Sequence, residues 1–132
     1  NSASGIGACA VIEDNAVAIF QNLLAYNNHA SSGGAIAIRG LSQVVLNDSD
    51  LKNNFANRGG AVFIGTNSAV EIVDTQIVNN TANSSGGGIF TSGGVGNMRN
   101  VSVLQNSATE GGGMFVMYTN TSESIYSTCS FK

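Results

Sequence analysis

The sequence predicts an all-β solenoid, a parallel β-helix of about five rungs of about 26 residues with three short strands per rung. Three observations point there: one frame recurs at a fixed step, glycine pairs fall in phase with it, and the chain holds 17 glycines but no proline. The frame is apolar-x-x-Asn-x-Ala, then two or three residues, then Gly-Gly-small-apolar. It reads AYNNHASSGGAIAI from Ala25, LKNNFANRGGAVFI from Leu51, IVNNTANSSGGGIFT from Ile77 and VLQNSATEGGGMFV from Val103. Asn28, Asn54, Asn80 and Asn106 are spaced by 26 residues, and Asn1 continues the series upward with one extra residue. A second column, Asn22, Asp48, Asp74 and Asn100, keeps the same step.

A helical reading fails because β-branched residues crowd the apolar runs and the glycine pairs interrupt them too often. One 26-residue unit cannot bury an apolar face alone, whereas stacked units share one continuous core. Each rung then contributes a strand after the glycine pair (residues 35–38 and 61–64), a second strand (residues 16–20, 44–46 and 70–73) and a third that starts the frame. Strands pair with their counterparts about 4.8 Å away, so equivalent residues form vertical columns. Phe20, Leu46, Ile72 and Met98 are expected to make one interior stack, and Ala25, Leu51, Ile77 and Val103 another. The Asn28 column is expected at a left-handed corner with its amides bonded along the ladder, and the glycine pairs at a second corner. The column Ala37, Phe63, Phe90 and Phe115 reads equally as an outward aromatic stripe or as core.

The frame, with Gly33-Gly34-Ala35-Ile36 and Gly59-Gly60-Ala61-Val62 following the Asn-x-Ala positions, resembles the repeats of the chlamydial polymorphic outer membrane proteins. The Phe of that family's first motif is replaced by Ala25, Leu51, Ile77 and Val103. The resemblance covers residues 1 to about 117. It implies a right-handed parallel β-helix of pectin-lyase-like type in a secreted or surface-displayed protein, often an adhesin passenger, and it implies no chemical activity.

Composition narrows the function classes. Lys and Arg total 5 against 8 Asp and Glu, a net charge of −3, and no basic run is present to neutralise phosphates. Nucleic acid is therefore not an expected partner, nor is membrane insertion, since no apolar run approaches the roughly 20 residues that span a bilayer. Residues 1–132 read as one repeat domain. It begins at Asn1 rather than Met, as expected of a segment of a longer array or a stackable subunit.

Asp48 and Asp74 are the strongest catalytic candidates, because adjacent rungs place their carboxyls about 5 Å apart, near the separation of a retaining glycosidase pair. The column continues as Asn22 and Asn100, however, and Asx residues have a turn-forming role that needs no substrate. Arg39, Lys52, Arg58 and Arg99 share no column that would supply a lyase with cations. His29 belongs to a variable column with Phe55, Thr81 and Ser107 and reads as solvent-facing; no metal or cofactor site is expected.

Cys9 and Cys129 lie some 22 Å apart along the axis by rung count, too far for a mutual disulfide. Cys9 is expected in the column of Ile36, Val62, Ile89 and Met114, and Cys129 below Val103. Each is either a buried thiol or a bridge to another subunit. Sequons stand at Asn47, Asn79, Asn83, Asn100 and Asn120, of which Asn83, Asn120 and Asn47 are the favoured glycan acceptors. Lys132 falls in the slot of Asn106, so a second copy would continue the coil. The function this supports is a non-enzymatic extracellular or cell-surface β-helical component, a fibre or stalk stacking end to end with itself or adjoining repeats, and glycan-coated. An adhesin or carbohydrate-binding passenger is the alternative, and a polysaccharide lyase or hydrolase the more remote one.

Overall fold

Residues one repeat apart pair as direct neighbours throughout the computed structural model, and the chain winds into a parallel β-solenoid. The structure describes residues 1–117, 125–127 and 130–131. The strands in chain order are β1 (Ala10–Ile12), β2 (Val17–Gln21), β3 (Leu24–Tyr26), β4 (Ile36–Ile38), β5 (Gln43–Asn47), β6 (Asp50–Lys52), β7 (Phe55–Arg58) and β8 (Val62–Ile64). They continue as β9 (Ala69–Val73), β10 (Gln76–Val78), β11 (Thr81–Ser85), β12 (Ile89–Ser92), β13 (Val95–Arg99), β14 (Ser102–Leu104), β15 (Met114–Met117), β16 (Ile125–Ser127) and β17 (Ser130–Phe131).

Three five-stranded sheets run the length of the coil: β1-β4-β8-β12-β15, β2-β5-β9-β13-β16 and β3-β6-β10-β14-β17. A short two-stranded sheet of β7 and β11 lies on the arm between the asparagine corner and the glycine pairs. Five strands per sheet enclose about four turns, one fewer than the expected five rungs, because the first and last strands have a neighbour on one side only. Both expected interior columns are present in register. Leu46, Ile72 and Met98 are 1%, 0% and 3% exposed, and Ala25, Leu51, Ile77 and Val103 are at most 1% exposed.

The asparagine corner differs from its expected conformation. The left-handed residues are Asn27, Asn53, Asn79 and Gln105 (φ 54° to 57°), each one position before the Asn28 column. The bend is absorbed by that outer residue, so the following asparagine keeps ordinary backbone and turns its amide into the coil. Its geometry repeats almost unchanged. Asn28 donates from N and Nδ2 to Asn54 Oδ1 at 3.0 and 2.9 Å. Asn54 does the same to Asn80 Oδ1 at 2.8 and 3.0 Å, and Asn80 to Asn106 Oδ1 at 2.8 and 3.0 Å. The second amide hydrogen reaches back to the preceding rung, from Asn54 to the Ala25 carbonyl and from Asn80 to the Leu51 carbonyl, both at 2.9 Å. Each central amide thus accepts two bonds and donates two, which satisfies a polar group with almost no exposure.

The column of Asn22, Asp48, Asp74 and Asn100 is left-handed throughout (φ 47° to 56°) and exposed. Immediately after it runs a hydroxyl ladder absent from the sequence-based expectations. Leu23 N donates to Ser49 Oγ at 3.1 Å and Ser49 N to Thr75 Oγ1 at 3.3 Å; each hydroxyl donates in turn to the carbonyl two residues back, at 2.7 Å. At the glycine corner the first glycine of each pair is left-handed, as in Gly59 (φ 61°). The second has no room for a side chain: a Cβ on Gly60 would lie 2.1 Å from the Gly87 carbonyl oxygen and 2.7 Å from that of Thr81.

The 26-residue step is broken at three places among the described residues. Ser2 pairs with His29 and Ile6 with Ser32, so the first rung absorbs an extra residue between them and regains the 26-residue step before β1. Ala10, not Cys9, therefore pairs with Ile36 and takes the interior slot, and Cys9 is exposed. Thr81 to Ser85 contains the same one-residue excess, seen as a bulge opposite β7. In the last turn Met98 pairs with Tyr126 and Val103 with Phe131, steps of 28. Phe131 thus holds the register position below Val103 expected for Cys129. Cys129, Lys132 and Asn120 lie outside the described residues.

Replacing Asn54 by Ala strands donors on Asn28 and the Ala25 carbonyl, and should lower unfolding stability in urea by about 3 kcal/mol. Asn83→Ala on the exposed arm should stay within about 0.5 kcal/mol of wild type. Gly60→Ala should cost about 3 kcal/mol in the same assay, because the atoms its methyl meets are backbone of the next rung.

Candidate functional site

A solenoid spends its inward side chains on packing, which leaves function to the outward ones. In β4, β8 and β12 the residues Ile36, Ile38, Val62, Ile64 and Ile89 face the core, so the intervening positions Ala37, Phe63 and Phe90, with Phe115 of β15, point away from it. The three rings stack nearly parallel. Phe63 and Phe90 are 5.4 Å apart at 9°, and Phe90 and Phe115 are 5.6 Å apart at 6°. The Arg58 guanidinium carbon lies 5.8 Å from the centre of the Phe90 ring. Phe90 is consequently only 1% exposed although it stands on the outer side of its sheet. The column is outward, as one sequence reading had it, yet its central ring is closed off by its own neighbours.

A second outward surface is apolar and uncovered. Val17 and Ile19 of β2 are 72% and 73% exposed, and Leu24 of β3 is 63% exposed. With Val45, Glu71, Val95 and Asn97 of the following rungs, Val17 and Ile19 line a shallow cleft of about 240 Å³. The stretch Val17-Ala18-Ile19-Phe20 contains no polar residue to mark which side faces water, so the sequence did not disclose this surface. Down the outer column Ile19, Val45, Glu71 and Asn97 the residues become polar, which restricts the exposed patch to the first rung.

The catalytic candidates Asp48 and Asp74 stand on adjacent rungs. Asp48 and Asp74 lie in the exposed corner column, where Asn100 Nδ2 donates to Asp74 Oδ1 at 2.6 Å. The nearby ion pairs use other carboxylates: Arg39 contacts Glu13 at 2.5 Å and Lys52 contacts Asp50 at 3.2 Å. His29 is exposed, with Phe55 edge-on at 4.7 Å, as its variable column implied. Among the described residues no three His, Cys, Asp or Glu side chains converge as metal ligands.

Of the sequon asparagines, Asn79, Asn83 and Asn100 are exposed and Asn47 is half-buried. Their amides join outer ladders, Asn83 Nδ2 donating to Asn57 Oδ1 at 2.9 Å and Asn79 Nδ2 to Asn53 Oδ1 at 2.5 Å. The exposed acceptors therefore stand at two left-handed corners, Asn79 and Asn100, and on β11, Asn83.

Removing the central ring of the aromatic column tests whether that stack is structural. Phe90→Ala should lower stability by about 3 kcal/mol, because a fully buried ring leaves a cavity between two others. Arg58→Ala should lower it by no more than about 1 kcal/mol, as expected of an exposed cation over a ring. Thermal unfolding followed by circular dichroism at 218 nm separates the two.

No curated protein and no solved structure matches the chain. Residues 74–92 match the Chlamydia polymorphic membrane protein (Chlamydia_PMP) repeat. That segment spans the full frame of one rung, from Asp74 through Asn80 and the glycine run to Phe90, and the chain carries this repeat on a parallel β-solenoid.

Proposed function

We propose that the chain is a non-enzymatic structural segment of a surface-displayed protein, a stiff rod whose outer faces are available to partners. The unbroken vertical register carries this reading: the sheets, the buried asparagine ladder and the interior columns all repeat along one axis, which is an economical way to build length and rigidity. The match to a membrane-protein repeat family supports a location at the cell surface. The outer carboxylates Asp48 and Asp74 are read as corner residues, since their left-handed column continues as Asn22 and Asn100.

Assembly belongs to the same proposal. The strands β1, β2 and β3 are edge strands of their sheets, and a second copy or an adjoining repeat pairing there would extend the coil in register. Cys9 is exposed on the same rung, in reach of a bridge to another subunit, and Asn83, on the bulged arm, is the favoured glycan acceptor. An adhesin is the second reading, favoured by the exposed Val17, Ile19 and Leu24 surface.

Intact cells expressing the full-length protein should lose the segment to added protease and label with antibodies raised against it, whereas protection from both would overturn surface display. Electron microscopy of purified material should show filaments, with dispersed monomers at high concentration counting against end-to-end assembly. If the adhesin reading holds, the double variant Val17→Ser, Ile19→Ser should reduce binding to target cells about tenfold while retaining the unfolding midpoint of the wild type.

A further inference from the structure

The ring stack on the outer side of β8, β12 and β15 stops abruptly. Phe63 pairs with Ala37 of the next strand, so a methyl stands where a fourth ring would continue the series. Beside this step opens a cleft of about 440 Å³ whose walls include Ile6, Phe63, Arg39, Thr66 and Ser92, with the turn backbone of Gly40. We propose that this cleft is a subsite for one neutral pyranose ring of a polysaccharide chain.

The argument is one of matching chemistry. Phe63 and Ile6 supply an apolar wall, and an aromatic ring at the end of a stack is suited to the flat C–H face of a sugar. The polar lining includes Arg39, whose Nε donates to Glu13 Oε2, a residue outside the lining, at 2.6 Å across the rungs. Both partners remain substantially exposed at 52% and 40%, so the guanidinium keeps spare N–H donors and the carboxylate spare lone pairs. The spare N–H donors of Arg39, with the hydroxyls of Thr66 and Ser92, which donate or accept, suit the hydroxyl groups of a sugar ring.

Charge and size narrow the choice. Arg39 is already neutralised by Glu13, so a phosphate or uronate would have to compete with that carboxylate, whereas an uncharged polyol uses the remaining guanidinium donors with the ion pair intact. A simple anion also offers nothing to the Phe63 wall, and an aromatic side chain offers no hydroxyl rim to Arg39, Thr66 and Ser92. The volume falls in the range of about 300–1,000 Å³ usual for small-ligand sites. This subsite is independent of the exposed valine and isoleucine surface on β2, and it does not require the rod to assemble.

Saturation-transfer difference NMR on the full chain, with neutral cello-, manno- and galacto-tetraose and with tetragalacturonate as probes, tests the proposal. At least one neutral tetraose should receive saturation at its ring C–H protons, and tetragalacturonate should bind more weakly. Phe63→Ala and Arg39→Gln should each weaken that binding about tenfold. Arg39 is exposed, so Arg39→Gln should keep the wild-type unfolding midpoint and carries the test if Phe63→Ala does not fold. No transfer to any neutral tetraose, tighter binding of tetragalacturonate, or undiminished transfer in Arg39→Gln would each overturn the assignment.

Discussion

The rungs from Asn28 to Asn106 are tied one to the next by primary amides, buried at Asn28, Asn54 and Asn80. The Asn28–Asn54–Asn80–Asn106 ladder places a strongly polar group beside an otherwise aliphatic interior, where an unpaired amide would be costly. Its bonds close only if the neighbouring amide lies one rung away at the correct height. A slip of one residue would break the amide chain and turn interior side chains such as Leu51 and Ile77 outward. Hydrophobic columns alone tolerate small vertical shifts, since Ile over Leu is much like Ile over Val. The amides do not, and in that sense they set the pitch to which the sheets conform.

The remaining corners follow from the same demand. A coil whose turns lie one strand spacing apart brings backbone against backbone wherever it bends. Gly60 marks the closest such approach, with the carbonyls of Gly87 and Thr81 occupying the space of its missing side chain. Where the bend is wider, a hydroxyl does what glycine does elsewhere, and Ser49 and Thr75 bridge successive rungs through their side-chain oxygens. One extra residue falls on the outer arm between Asn and Gly-Gly, in the Thr81–Ser85 bulge; β12 then pairs with β8 at a step of 27, and the 26-residue step returns at β13.

Much of this architecture is legible in the sequence because identical columns repeat at one step: the interior stacks, the asparagine ladder and the glycine corner all follow from spacing. What escaped did so for specific reasons. In the doublets Asn27-Asn28 and Asn53-Asn54 both residues suit a left-handed turn and both can hydrogen-bond, so spacing alone could not say which one bends the chain and which one enters the coil. Cys9 was displaced by an inserted residue whose location within the rung has no compositional mark. The hydroxyl ladder was hidden because Leu23 and Val101 interrupt its column. Phe90 was ambiguous because every neighbour on its strand is apolar, and its burial depends on rings two rungs apart. Among the candidate surfaces, the aromatic column was visible as a pattern, whereas the cleft beside Phe63 needed Ile6, Arg39 and Ser92 to be brought together from distant positions.

The amide ladder also has a direction. Every Oδ1 accepts from the amide before it, so the small dipoles point one way and reinforce one another along the axis. Deleting or duplicating one whole repeat inside the array would rejoin the same donors to the same acceptors, leaving no orphaned group at the seam. Changes of reach by unequal recombination are therefore cheap for such a protein, whereas inverting a unit is forbidden by the one-way sense of its hydrogen bonds.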